Sequence, residues 1–290
     1  MRFFIEAIFL SLFLITITVS ESPTNYSNGT AHHSAVIVDS CEVLKQKYHL
    51  GISAHRGSSK LAPENTLATF RAVLAMGVDY FEIDVRTSKD GKLLILHDGT
   101  LNRTTNGEGP MKNFTLAELK ALSAGKGFGE AFQYERIPTL EETTQLLAAW
   151  NKTHARKTNL YVDCKDVLPE PLVAQLAQHK LLKEAVFYGS DDFLLALKKV
   201  YPKARLMPAL NKPQEITTKA NLLKPYAFDV KWTILNDSLV KAIHQHDIKV
   251  FSDVLGLLDN PSNYKKATTM GVDIIQTDYV RKVYQTLLDK

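Results

Sequence analysis

From Gly51 to the C-terminus, short apolar runs alternate with longer stretches whose apolar residues recur three and four positions apart. The runs cover residues 51–56 (GISAHR), 80–85 (YFEIDV), 160–165 (LYVDCK), 185–190 (AVFYGS), 205–210 (RLMPAL), 227–232 (AFDVKW), 249–255 (KVFSDVL) and 273–278 (DIIQTD). Stretches such as 65–77 (NTLATFRAVLAMG), 191–201 (DDFLLALKKVY) and 237–247 (DSLVKAIHQHD) carry the helical period. Eight strands, each followed by a helix, in about 240 residues predict a (β/α)8 TIM barrel over residues 49–290. A doubly wound open sheet is the alternative.

One run breaks the repeat. Residues 93–97 (LLILH) follow the second strand after a spacer too short for a crossover helix, and Asp90-Gly91 is a hairpin turn signal. Residues 80–97 therefore predict a β-hairpin whose return strand is extra to the eight. A fold about Lys89–Asp90 sets His97 roughly opposite Ile83, beside Glu82 and Asp84, which share one face. The long gap between His97 and Leu160 predicts a small cap, residues 99–138, over the barrel mouth. Thr115 with Glu118, and Thr139 with Glu142, have the spacing of capping boxes and fix two helix starts.

The beginning of the chain reads differently. Met1 and Arg2 precede an apolar run, Phe3 to Val19, whose only charge is Glu6. It predicts a signal peptide over residues 1–20, cut before Glu21, and hence a secreted protein. An uncleaved N-terminal anchor is the alternative. The run is shorter than the roughly 20 residues a span needs, so no stable membrane span is expected in the mature chain. Residues 21–48 are expected to form a flexible leader, because residues 21–40 are polar and without period. Six N-x-S/T sequons (Asn25, Asn28, Asn102, Asn113, Asn151, Asn236) hint at a glycoprotein.

Composition narrows the class. With 290 residues, 45% hydrophobic and 23% charged, the chain is ordinary globular material, which excludes disordered and low-complexity classes. Two cysteines exclude a disulfide scaffold or a Cys-based zinc domain. A Cys41–Cys164 disulfide has no support from spacing, and Cys164, between Asp163 and Lys165, is expected to point outward as a buried thiol. The net charge of +4 is mild and scattered; it suits a small anionic substrate and gives no footing for nucleic acid. The glycine-rich GKGFG at 125–129 follows no strand and reads as loop rather than a dinucleotide site.

The residues able to do chemistry fall at strand ends, where a barrel builds its active site. His55-Arg56, Glu82-x-Asp84, His97-Asp98 and Asp163-x-Lys165 each end a predicted strand. Together these types suggest phosphodiester cleavage. Carboxylate oxygens suit one hard divalent cation, Mg²⁺ or Ca²⁺. Arg56 can fork onto a phosphate, and Lys165 adds a point charge. Two histidines can divide the proton work, one accepting from the attacking oxygen and one protonating the leaving alcohol. For Asp278, at the end of the last strand, site support and a structural turn role stay open.

Read in order, HRG (55–57), PENT (63–66), ExD (82–84), DG (90–91), HD (97–98), RTT (103–105), IPTLEE (137–142) and GVDIIQTDY (271–279) resemble the glycerophosphodiester phosphodiesterase family. The likeness runs from Gly51 to the C-terminus and is strongest over 51–145. It implies a TIM barrel with a small inserted cap, and cation-dependent hydrolysis of a small glycerophosphodiester to sn-glycerol 3-phosphate and an alcohol. It further implies His55 and His97 as the acid/base pair, Arg56 and Lys165 at the phosphate, and Glu82, Asp84 and Asp163 at the metal. Two departures bear on substrate. The family commonly has Glu where this chain has Asp163, whereas the related sphingomyelinase D enzymes of spider venoms carry Asp-x-Lys there. Many members read WTVN where this chain has Phe251-Ser252-Asp253-Val254, so Phe251, with Trp232 one strand earlier, is expected to wall the substrate pocket. A lysophospholipase D or sphingomyelinase D-like enzyme acting on a lysophospholipid or sphingomyelin is therefore the first alternative. A catalytically inactive phosphodiester-binding module is the second, disfavoured because both histidines and all three carboxylates are present.

Overall fold

Eight of the apolar runs form parallel strands in the computed structural model, which describes residues 42–58 and 60–288. They are β1 (Gly51–Ala54), β2 (Tyr80–Thr87), β4 (Asn159–Cys164), β5 (Val186–Gly189), β6 (Arg205–Leu210), β7 (Ala227–Val230), β8 (Lys249–Asp253) and β9 (Ile274–Thr277). Each pairs with its neighbour in turn, and β1 pairs with both β9 (Gly51 opposite Ile274) and β2 (Ser53 opposite Tyr80). The sheet therefore closes on itself. The fold is a (β/α)8 barrel, and the open-sheet alternative falls. The strands read as near-continuous apolar runs because helices cover the outer face while side chains fill the inner one.

The predicted hairpin is present. A short strand, β3 (Leu93–Ile95), lies antiparallel on β2 outside the ring of eight, with Val85 opposite Ile95 and Thr87 opposite Leu93. Just past β3 the Leu96 amide still donates to the Asp84 carbonyl at 3.0 Å. Both predicted capping boxes are formed. Thr115 opens a helix at Leu116–Ala121 and Thr139 opens one at Leu140–Thr153, with Glu118 and Glu142 closing the reciprocal bonds. Residues 99–138 pack a small apolar cluster, including Leu101, Met111, Leu119 and Ile137, onto Leu94 and Leu96 of the hairpin.

Strand alternation sorts the barrel interior into layers. Tyr80, Tyr161, Val186, Met207, Ala227, Phe251 and Ile274 form a buried inner cluster. Two residues further along the same strands stand Glu82, Asp163, Tyr188, Asp229, Asp253 and Gln276, which line a cavity at the C-terminal mouth. The residues between them, such as Phe81, Ile83 and Val162, face the helices and belong to the large outer core. Cys164 is one of these outward residues, buried and free.

The leader boundary needs correction. Residues 42–48 are helical, Leu44 is fully buried, Lys45 pairs with Asp79, and the Tyr48 hydroxyl donates to the Leu287 carbonyl at 3.1 Å. Leu44 and Tyr48 stand one helical turn apart, too short a stretch to show a period among polar neighbours. The signal segment, the leader through Cys41, and the sequons at Asn25 and Asn28 lie outside the described residues. Among the described residues no helix is long and apolar enough to cross a membrane.

Candidate active site

The turn after β1 sets the first group of side chains. His55–Gly57 forms a short 3-10 turn in which Arg56 and Gly57 have positive φ (50° and 74°), as does Ser58 immediately after it (62°). Gly57 is required on two counts. Its φ is left-handed, and a Cβ there would meet Thr69 Cγ2 at 2.5 Å and Phe70 Cδ1 at 2.8 Å. The turn aims the Arg56 amide at Glu82 Oε2 (2.7 Å) while its guanidinium reaches Glu64 Oε1 (2.9 Å). Non-glycine residues in this region are uncommon and concentrate where function over-determines the backbone.

Glu82, Asp84 and Asp163 come together as the strand register dictates. β2 and β4 pair with Glu82 opposite Tyr161 and Asp84 opposite Asp163, and one oxygen from each carboxylate lies within 4.8 Å of the others. Asn65 Nδ2 donates to Asp84 Oδ2 at 2.7 Å, while Asn65 Oδ1 is buried with no donor. Lys165 Nζ stands 3.2 Å from Asp84 Oδ1 and bonds Asp163 Oδ2. Burial, then repulsion from Asp84 and Asp163, pushes Glu82 well above the ordinary carboxylate range. Burial likewise raises Asp163 despite the nearby Lys165. For Lys165 burial opposes the charge, but Asp84 and Asp163 outweigh it and raise the ammonium. Three crowded carboxylates, an unused amide oxygen and an all-oxygen donor set fit one hard divalent cation.

Both histidines are oriented from behind. His55 Nδ1 donates to Asp278 Oδ1 at 2.9 Å, and His97 Nδ1 donates to Asp98 Oδ1 at 2.7 Å. These bonds assign each ring the Nδ1–H tautomer and leave Nε2 as an acceptor. Burial opposes ionisation of Asp278, but the bond from His55 holds its pKa below the ordinary range. The His97 backbone is itself anchored, because its carbonyl accepts from Arg86 Nε (3.0 Å) and Nη2 (2.7 Å). The chain leaving the return strand is thereby locked to β2.

Seven of the nine sequence-predicted site residues meet at one cavity of about 280 Å³: His55, Arg56, Glu82, Asp84, His97, Asp163 and Lys165. The two predicted aromatic walls do not. Phe251 is 1% exposed and packs edge-on against Tyr80 (5.5 Å) and Tyr161 (6.3 Å), two residues below Asp253 and hence one layer deeper. Trp232 lies beyond β7, at the start of a short 3-10 turn (Trp232–Ile234), and packs partly buried against the helical core. The aromatic lining comes from Tyr161 and Tyr188.

Sequence reasoning missed Asp229 and Asp253. Burial and their mutual repulsion hold Asp229 well above the ordinary range; burial also raises Asp253. Their signal was present in AFDV and FSDV, where an acid stands two residues beyond an inward apolar residue. The orienting role of Asp98 and the partners of Glu64 were missed too: Asp98 adjoins His97 in sequence, but irregular loop backbone carries no period that says where its side chain turns, and Glu64 meets Arg103 from 39 residues away.

The chain has well-matched relatives. A model described as the glycerophosphoryl diester phosphodiesterase family matches residues 55–282. The chain is 32% identical over 234 residues to a glycerophosphodiester phosphodiesterase of Caldanaerobacter subterraneus, covering 78% of this chain and 93% of that one. It is 33% identical over 251 residues to a Bacillus subtilis protein of the same name, covering 78% and 82%. Among solved structures, an Oleispira antarctica phosphodiesterase in complex with the product sn-glycerol-3-phosphate superposes with a TM-score of 0.70 at 28% identity, covering 82% of this chain and 96% of that one. A glycerophosphodiester phosphodiesterase of Agrobacterium tumefaciens superposes with a TM-score of 0.73 at 25% identity, covering 81% and 99%.

Proposed function

The chain belongs to the glycerophosphoryl diester phosphodiesterase family, and we propose that it hydrolyses soluble glycerophosphodiesters to sn-glycerol 3-phosphate and an alcohol. One observation carries the reading: two aspartate-backed histidines face the same cavity as three clustered carboxylates, an arginine and a lysine.

Arg56 and Lys165 receive the anionic phosphate, Arg56 through its planar fork and Lys165 as a point charge. Glu82, Asp84 and Asp163 would hold one Mg²⁺ or Ca²⁺. When bound, that ion polarises a phosphoryl oxygen and neutralises charge developing on it. With Nδ1 committed to an aspartate, each histidine offers Nε2 to the reaction. One accepts the proton of the attacking oxygen; the other, protonated, delivers a proton to the departing alkoxide. Asp278 and Asp98 steady the imidazolium that each ring becomes in turn.

Phosphorus-31 NMR of a glycerophosphocholine digest tests the assignment. Direct appearance of glycerol 3-phosphate supports hydrolysis by water. Transient cyclic glycerophosphate would instead make a substrate hydroxyl the nucleophile. Choline release from lysophosphatidylcholine with the soluble diester untouched would move the assignment to a lysophospholipase D.

A further inference from the structure

Arg103 lies in the segment inserted between the hairpin and the next barrel strand, outside the ring of strands, yet it bonds the residues behind both halves of the site. Its Nε and Nη2 reach Asp98 Oδ2 (2.8 Å) and Oδ1 (2.9 Å); its Nη1 and Nη2 reach Glu64 Oε2 (2.7 Å) and Oε1 (2.8 Å). Four hydrogen bonds thus run from one planar guanidinium to two carboxylates. Each carboxylate has a further duty. Asp98 Oδ1 receives His97 Nδ1, and Glu64 Oε1 receives Arg56 Nη1. We infer that Arg103 is a positioning residue that holds Asp98 and Glu64 at fixed spacing, so that His97 keeps its Nδ1–H tautomer and Arg56 keeps its aim at the phosphate.

The chemistry requires arginine. Two side-by-side forks need a flat group with donors on adjacent edges, which a lysine ammonium does not have. Exposure argues against a packing role: the Arg103 side chain is 46% accessible, against 14% for Glu64 and 25% for Asp98. A pair that exposed contributes little to global stability. Its value lies in orientation, in the way that carboxylates behind metal-bound histidines orient those rings. The inserted segment is then part of the catalytic apparatus, since losing its Arg103 loosens groups that it never touches.

This inference rests on the hydrolase reading, and its test uses two independent readouts. The first is steady-state turnover of glycerophosphocholine by Arg103→Ala and Arg103→Lys. Both should lose roughly tenfold to a hundredfold in kcat, with KM changed less than about threefold and the melting temperature retained. Added guanidinium should restore part of the Arg103→Ala rate and leave wild type unaffected. The second readout is nitrogen-15 NMR of the His97 ring in the free protein, assigned through its loss in His97→Gln. It should show the Nδ1–H tautomer in wild type and a mixture in Arg103→Ala. Wild-type kcat in Arg103→Ala, full recovery by lysine, or an unchanged His97 tautomer would each overturn the inference. If wild type turned over no diester, the hydrolase reading would fail, and the tautomer measurement would still decide the role of Arg103.

Discussion

At the scale of single residues, the site is a set of charges placed so that each has a specified partner. His55 and His97 differ in which element holds them but share one device, an aspartate at Nδ1. His55→Ala and His97→Ala should each reduce kcat by about 10²–10⁴-fold. Circular dichroism and the melting temperature should stay at wild-type values, and near-full activity in either variant would remove that residue from proton transfer. Glu82→Gln keeps the shape and removes one anionic ligand, so calorimetry should show weaker Mg²⁺ or Ca²⁺ binding, and excess metal should recover part of the rate. The seven converging polar residues were legible because their types are unusual at strand ends. Asp278 and Glu64 were not legible as partners, since their mates His55 and Arg103 lie far off in sequence, and Asp98, though next to His97, lies in irregular backbone whose side-chain directions no period fixes.

At the scale of elements, the period of the apolar pattern was sufficient for all eight barrel strands and the return strand of the hairpin. Capping boxes were equally readable because their geometry is local. Thr139→Ala deletes the side chain that accepts from the Glu142 amide and should cost about 1 kcal/mol in a denaturant titration. No loss would mean that the tertiary contacts of this helix make its cap redundant. Gly57→Ala is expected to be harsher. It combines left-handed φ with a Cβ driven into Thr69 and Phe70, and it should lower both melting temperature and turnover by displacing Arg56. Parity along the strand was the least exploited signal. Applied from Ala227 and from Phe251, it aims Asp229 and Asp253 inward, one layer nearer the mouth than the apolar residues two positions before them.

At the scale of the whole molecule, the mouth gathers negative charge that the fold must tolerate. Glu82, Asp163, Asp229 and Asp253 all have raised folded-state pKa values, with burial the first cause. Such groups keep protons in the folded chain at pH values where the unfolded chain has lost them. Their contribution to stability therefore falls as pH rises from about 4, the ordinary carboxylate value, through the raised folded values. Glu64, Asp98 and Glu142 are held low by arginine, histidine and lysine partners, and their contribution is lost in the opposite direction, as pH falls below about 4. Metal-stripped protein should accordingly lose melting temperature as the pH is raised above about 4, the ordinary carboxylate value, and saturating divalent cation should remove most of that decline. Asp229→Asn should raise the melting temperature of metal-stripped protein at pH 7 and leave it unchanged at pH 4. A lower value at pH 7 would show that the Asp229 charge is already compensated within the protein.

The most direct measurement is the rate of glycerol 3-phosphate release from glycerophosphocholine by metal-stripped protein, titrated separately with Mg²⁺ and Ca²⁺. Wild type, His55→Ala and Glu82→Gln should be followed side by side. The expected result is no turnover in EDTA, saturable activation of wild type by one of the two ions, a right-shifted activation curve for Glu82→Gln, and near-absent turnover for His55→Ala at every metal concentration. Full turnover in EDTA, or wild-type rates in His55→Ala, would contradict cation-dependent acid–base hydrolysis at this cavity.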